Sequence, residues 1–117
     1  MSREAPVIDG WFVGEDQTFR FTIYQADGVT PQNISGWSLE WVLRVRASSS
    51  SAILTKTTSS GIVITDESAG KCEVSVTRTE SNLLVPGKYF HTLRRSDTNF
   101  STVLSHGDAV LRYAATR

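Results

Sequence analysis

Two histidines, His91 and His106, are the only imidazoles in this 117-residue chain, so any general base of that kind must be one of them. Serine or cysteine hydrolysis needs a nucleophile within reach of such a base and an acid to orient it. Serines are plentiful, but no G-x-S-x-G elbow is present, and His106 sits in "SHGD", which reads as a turn. Paired-carboxylate hydrolysis of a glycoside needs two acids across a cleft. Twelve acidic residues give many pairs, but most fall in turns or on polar strand faces, and a chain of this size leaves little room for a deep cleft. Neither G-x-G-x-x-G nor G-x-x-x-x-G-K occurs, which removes the phosphate-cradling loops. Asp9, Glu15, Asp16 and Asp27-Gly28 are the best loop candidates for calcium, yet their spacing fits no EF-hand. The expectation is therefore no catalytic residue, no metal and no cofactor.

The elements that would carry these side chains are strands. "TFRFTIYQ" sends Phe19, Phe21 and Ile23 to one side and Arg20, Thr22 and Tyr24 to the other. "WSLEWVLRVR" alternates Trp37, Leu39, Trp41, Leu43 and Val45 against Ser38, Glu40, Val42, Arg44 and Arg46. Only a strand places residues two apart on one face. "GIVIT" adds Ile62 and Ile64, "KCEVSVTR" adds Cys72, Val74 and Val76, and "KYFHTLRR" adds Tyr89, His91 and Leu93. "GWFVG", "STVLS" and "AVLRY" give shorter runs. Turn chemistry separates them at "ADG", "NISG", "SAGK", "VPGK", "SDTN" and "SHGD", and Ser48–Ser51 reads as a loop. The one helical signal is a turn at "TESNLL", with Thr79 as the expected N-cap.

Seven to nine short strands with such turns predict an antiparallel β-sandwich in one domain, with residues 1–10 as an extended arm. Its core is expected to hold Phe19, Phe21, Ile23, Trp37, Leu39, Trp41, Leu43, Ile62, Ile64, Val74, Val76, Tyr89 and Leu93. Tyr89 follows Pro86-Gly87 and suits a tyrosine corner, with its ring buried and its hydroxyl returned to nearby backbone. His91, between Tyr89 and Leu93 on the inward face, then reads as a core histidine, mostly neutral and with its ring nitrogens satisfied by hydrogen bonds.

Bulk properties narrow the function. The chain is 39% hydrophobic and 21% charged, ordinary for a globular domain of a size that folds without disulfides. Twelve basic and twelve acidic residues cancel and are interspersed, which leaves no basic field for nucleic acid. A single cysteine, Cys72, excludes an internal disulfide. The start "MSREAPVIDG" shows no apolar signal segment, and no run reaches the ~20 apolar residues of a membrane span. A soluble protein made in a cytoplasm, with no membrane partner, is expected. Contact surface remains: Val42, Phe90 and Tyr24 fall out of phase with the core, and Ile8, Trp11 and Phe12 form an apolar N-terminal segment. Trp11 and Phe100 would also serve a carbohydrate-binding module by stacking on sugars.

The order "GEDQTFRFTIYQADGVTPQNISGWSLEWVLR" then "GIVITDESAGKCEVSVTRTESNLLVPGKYFHTLRRSD" resembles the small immunoglobulin-like domains of tailed-bacteriophage structural proteins. It is similar to the N-terminal domain of the phage upper baseplate protein. The likeness spans about residues 11 to 112 and rests on turns and core positions; His91 departs from it, standing where an apolar or aromatic residue is expected. It implies an immunoglobulin-like fold and a non-enzymatic virion component, made in the bacterial host cytoplasm. Such a component docks in multiple copies on other virion proteins of tail, baseplate or capsid. Placement as a tail or baseplate adaptor and placement as a capsid decoration protein both follow from it.

Overall fold

The computed structural model describes residues 8–25, 27–46, 52–97 and 102–112, with backbone alone for 8–10 and 102. Eight strands are found there: β1 (Ile8–Phe12), β2 (Gln17–Thr22), β3 (Leu39–Arg44), β4 (Leu54–Thr57), β5 (Ile62–Asp66), β6 (Lys71–Val76), β7 (Gly87–Arg95) and β8 (Thr102–Arg112). One short helix, α1 (Arg78–Asn82), links β6 to β7. The strands form a five-stranded sheet, β1-β8-β7-β3-β4, and a three-stranded sheet, β2-β6-β5.

All pairings among these strands are antiparallel except one: β1 runs parallel to β8, Trp11 opposite Leu111. The period-two alternation becomes two apolar inner faces. Leu39, Trp41 and Leu43 of β3 lie beside Leu93 and His91 of β7, over Phe19, Val74, Val76, Cys72 and Ile62 of the other sheet. Burying such side chains removes apolar surface worth about 1.5–3 kcal/mol each. Phe21, Trp37 and Ile64 are only half-buried and pack against that core from its margin.

Strand order and core landmarks define an immunoglobulin-like β-sandwich. The triplet β2-β6-β5 matches the B-E-D half of that fold and β8-β7-β3-β4 the G-F-C half with an added edge. Trp41 is the buried tryptophan of the C-type strand. Tyr89 opens the F-type strand and donates its hydroxyl proton to the Val85 carbonyl, which closes the tyrosine corner. His91, two residues further on, stands where antibody domains place the second cysteine of their inter-sheet disulfide.

Several expectations are corrected. "STVLS", "SHGD" and "AVLRY" are not two runs and a turn, because His106 and Gly107 continue the ladder opposite Thr92 and His91 in one long β8. The helix is capped by Thr77 rather than Thr79: Thr77 and Glu80 form a reciprocal capping box, a T-x-x-E signal present in the sequence. Val45 lies past the end of β3 and is exposed, and Trp37 precedes that strand. Trp37 is instead covered by the Arg95 guanidinium, 4.0 Å from its ring centre. β4 was not expected, since Lys56 occupies an inward position opposite Trp41. Ile34, on the long connection from β2 to β3, is fully buried although no alternation marks it. That connection is bound by Ile23 N to Gly70 O, Gln32 N to Ile23 O and Ile34 N to Glu67 O, at 2.8–2.9 Å. Gly70 makes the crossing possible, because a Cβ there would lie 2.5 Å from the Ile23 carbonyl oxygen and 2.7 Å from that of Gln32. Residues 1–7 of the expected arm, the Ser48–Ser51 loop and Phe100 lie outside the described residues. No described helix is long and apolar enough to cross a membrane.

Candidate functional site

The six residues expected at a partner surface do not form one patch, although Val42 and Phe90 do lie on neighbouring paired strands of the outer face. Trp11 is fully buried, because pairing with β8 turns its indole inward, edge-on to Phe19 at 5.5 Å. It belongs to the core and is closed to a partner or a sugar. Val42 points to the outer face of the large sheet as expected, but only 3% of it is exposed. On a central strand its methyls are flanked by Thr92 and Thr55 across the ladders and by Phe90 diagonally. Phe90 is half-buried, its ring stacked on His106 at 6.0 Å. Tyr24 is 37% exposed, Phe12 is half-buried, and the Ile8 side chain lies outside the described part. Phe90 and His106 share the outer face with two ion pairs, Lys88–Asp108 at 3.4 Å and Arg94–Glu40 at 3.7 Å. Such exposed or half-exposed pairs contribute little stability.

A different apolar surface emerges beyond α1. Leu83 and Val85 are 82% and 75% exposed, while Leu84 between them packs against the core. The helix that leads into their loop is held by several hydrogen bonds. Thr77 accepts from Glu80 N, and Glu80 accepts from Thr77 N at 2.9 Å. Asp16 accepts from Arg78 N at 2.7 Å. Ser81, itself buried, accepts from Gly14 N at 3.0 Å, and its proton faces the carbonyls of Glu15 and Arg78. Tyr89 then fixes Val85. Reading "TESNLL" as a helical turn and "VPGK" as a turn missed this; the signal available was three successive large aliphatics, of which a corner can bury only the middle one.

Lys56 ties the corner to the large sheet. Its ammonium donates to both Glu80 oxygens at 2.6 and 2.5 Å, and its stem crosses Gly61, where a Cβ would meet Lys56 Cδ at 2.4 Å. Burial tends to raise the Glu80 carboxyl, but hydrogen bonds from Lys56 and Thr77 outweigh it and hold the pKa below its ordinary value.

The chemically suggestive groups are engaged or enclosed. Asp27 accepts from Val29 N, Thr30 N and the Thr30 hydroxyl; the hydroxyl bond foremost lowers its pKa. No group of three or more His, Cys, Asp or Glu able to hold a metal occurs among the described residues. His91 is fully buried between the rings of Phe21 (6.0 Å) and Trp41 (6.2 Å). The expected satisfied ring is not found: neither of its nitrogens meets a hydrogen-bond partner among the described residues, because the groups packed on it are the rings of Phe21 and Trp41. Burial lowers its pKa to about 4, with His106 adding to the effect and Asp108 opposing it. A base needs an open path to the proton it removes, and this one is sealed between rings. Cys72 is buried too, its thiol pushed up to about 11 by burial and the nearby Glu73 charge, which suppresses the reactive thiolate.

The class defined by this fold is the immunoglobulin-like domain. No protein-family model matches the chain, and no curated protein matches it. Among solved structures it is similar to the NK cell receptor Nkp44, described as a triggering partner in natural cytotoxicity. Identity is 17% and the TM-score 0.46, over 95% of this chain and 98% of that one.

Proposed function

We propose that this chain is a non-enzymatic structural module of a tailed-bacteriophage particle, a tail- or baseplate-associated or accessory component that docks on a larger virion protein. The resemblance of its turns and core positions to phage immunoglobulin-like domains supports the reading, as does the way its polar groups are spent on holding turns. The observation that carries it is the tied corner after α1. A corner whose helix is held by Asp16, Gly14 and Lys56 and whose Val85 carbonyl is held by Tyr89 presents Leu83 and Val85 to solvent. A backbone already held in place has little left to order on docking, which favours association without chemistry. Phe90 with His106, and Tyr24, are further contact candidates. Repeated copies would multiply a modest single-site affinity.

Mass spectrometry and antibody labelling of purified particles from the phage that encodes the chain test this. Stoichiometric presence at the tail or baseplate is expected. Labelling over the head would move the same module to capsid decoration. Absence from particles, or clear sugar binding by the domain on a glycan array, would overturn the reading.

A further inference from the structure

The cystine position of the sandwich holds a buried histidine with no hydrogen-bond partner among the described residues. We propose that His91 is an acid-sensitive latch, closing the two sheets when its imidazole is neutral and opening them when it takes up a proton. This does not depend on what the domain docks on. The geometry carries it. Phe21 of β2 and Trp41 of β3 lie against the ring, and Leu43 and Gly107 stand across from it on the neighbouring strands. An imidazolium there would have two N–H donors and no acceptor, which a closed apolar interior disfavours strongly.

The titratable groups around it offer no rescue. From β8, His106 and Asp108 flank Gly107 on the outer face, with His106 opposing protonation and Asp108 only partly favouring it. From β3, Arg44 is cationic and lies on the outer face opposite Phe90. From β2 and β6, Arg20 and Glu73 pair with each other at 3.0 Å away from the core, and the buried Cys72 is a neutral thiol. On β7 itself, Lys88 and Arg94 are cations on the outer face, and the Tyr89 hydroxyl is committed to Val85. Lys56 faces inward from β4 as a cation already paired with Glu80. No carboxylate among these hydrogen-bonds to the ring.

The sign follows from linkage. The folded-state value lies below the ordinary 6.5, so the unfolded chain binds more protons between them. The stabilising effect is complete above about pH 6.5 and is lost progressively toward pH 4. Over that range the folded-to-unfolded ratio is expected to fall about 10²-fold through His91 alone.

The test is urea denaturation of the full chain by tryptophan fluorescence between pH 7.5 and 4, comparing wild type, His91→Phe and His106→Ala. Labelling of Cys72 by 4,4′-dithiodipyridine, which reacts in mild acid, reports opening in parallel. Wild type and His106→Ala should lose about 10²-fold more of the folded-to-unfolded ratio than His91→Phe, with Cys72 becoming reactive as they do. Parallel profiles for wild type and His91→Phe would overturn the latch. Should His91→Phe not fold, NMR of the native chain with carbon-13-labelled histidine decides. A ring at 91 still neutral in the closed domain well below pH 6.5 supports the proposal, and a ring that takes up its proton near pH 6.5 with the domain still closed refutes it.

Discussion

Trp41 sits between Phe19 at 5.8 Å and His91 at 6.2 Å, in contact with rings from both sheets. Truncation to alanine leaves a void that neighbouring strands cannot fill without breaking their ladders. Trp41→Ala is therefore expected to cost roughly 3–5 kcal/mol in urea denaturation; a loss below about 1 kcal/mol would mean the indole is not a keystone. Tyr89→Phe keeps the ring and removes one hydrogen bond to Val85, so about 1 kcal/mol is expected in the same measurement. Its heavier consequence should be faster amide exchange around Val85, since the corner loses its tether. These positions were legible in the sequence because alternation and the spacing from Pro86-Gly87 are local properties. Trp11 was not, because its direction depends on pairing with β8, nearly one hundred residues away.

The α1 corner behaves as an element rather than as a set of side chains. Glu80 caps the helix and neutralises Lys56, so one substitution removes two supports. Glu80→Ala is expected to destabilise by roughly 1–3 kcal/mol, because an inward-facing ammonium loses its partner. Adding Lys56→Met should recover part of that loss, since no unmatched charge then remains. If the double variant is as unstable as Glu80→Ala, the cap alone matters. The pH dependence has a definite sign. The Glu80 pKa is lowered on folding, so its contribution is present above about pH 4.5 and lost as pH falls through its folded value. That window lies below most of the His91 window, so the two separate in a pH series. β4 and its inward lysine escaped the sequence reading for the same reason: a charge on the core side is tolerable only once α1 supplies a carboxylate.

At the scale of the whole molecule, the contact surface is expected to be separable from folding. Leu83→Asp with Val85→Asp changes side chains already in solvent, so the urea midpoint should shift little, and on the proposed docking role binding to particles lacking the domain should drop at least tenfold. Phe90→Asp should act in the same direction more weakly, since its ring is half-covered by His106. Unchanged particle binding by both would move the docking surface elsewhere on the sandwich.

What the sequence determined by itself was the class of fold and most of its interior, because period-two alternation, turn residues and a tyrosine after Pro-Gly are written in neighbouring positions. Tertiary structure alone decided which apolar residues face water. Trp11 and Val42 were drawn in or covered by strands remote in sequence, and His91, whose inward direction the alternation already gave, was left without a hydrogen-bond partner between Phe21 and Trp41. Each outcome is a contact between distant segments, and no local pattern encodes which segment will arrive.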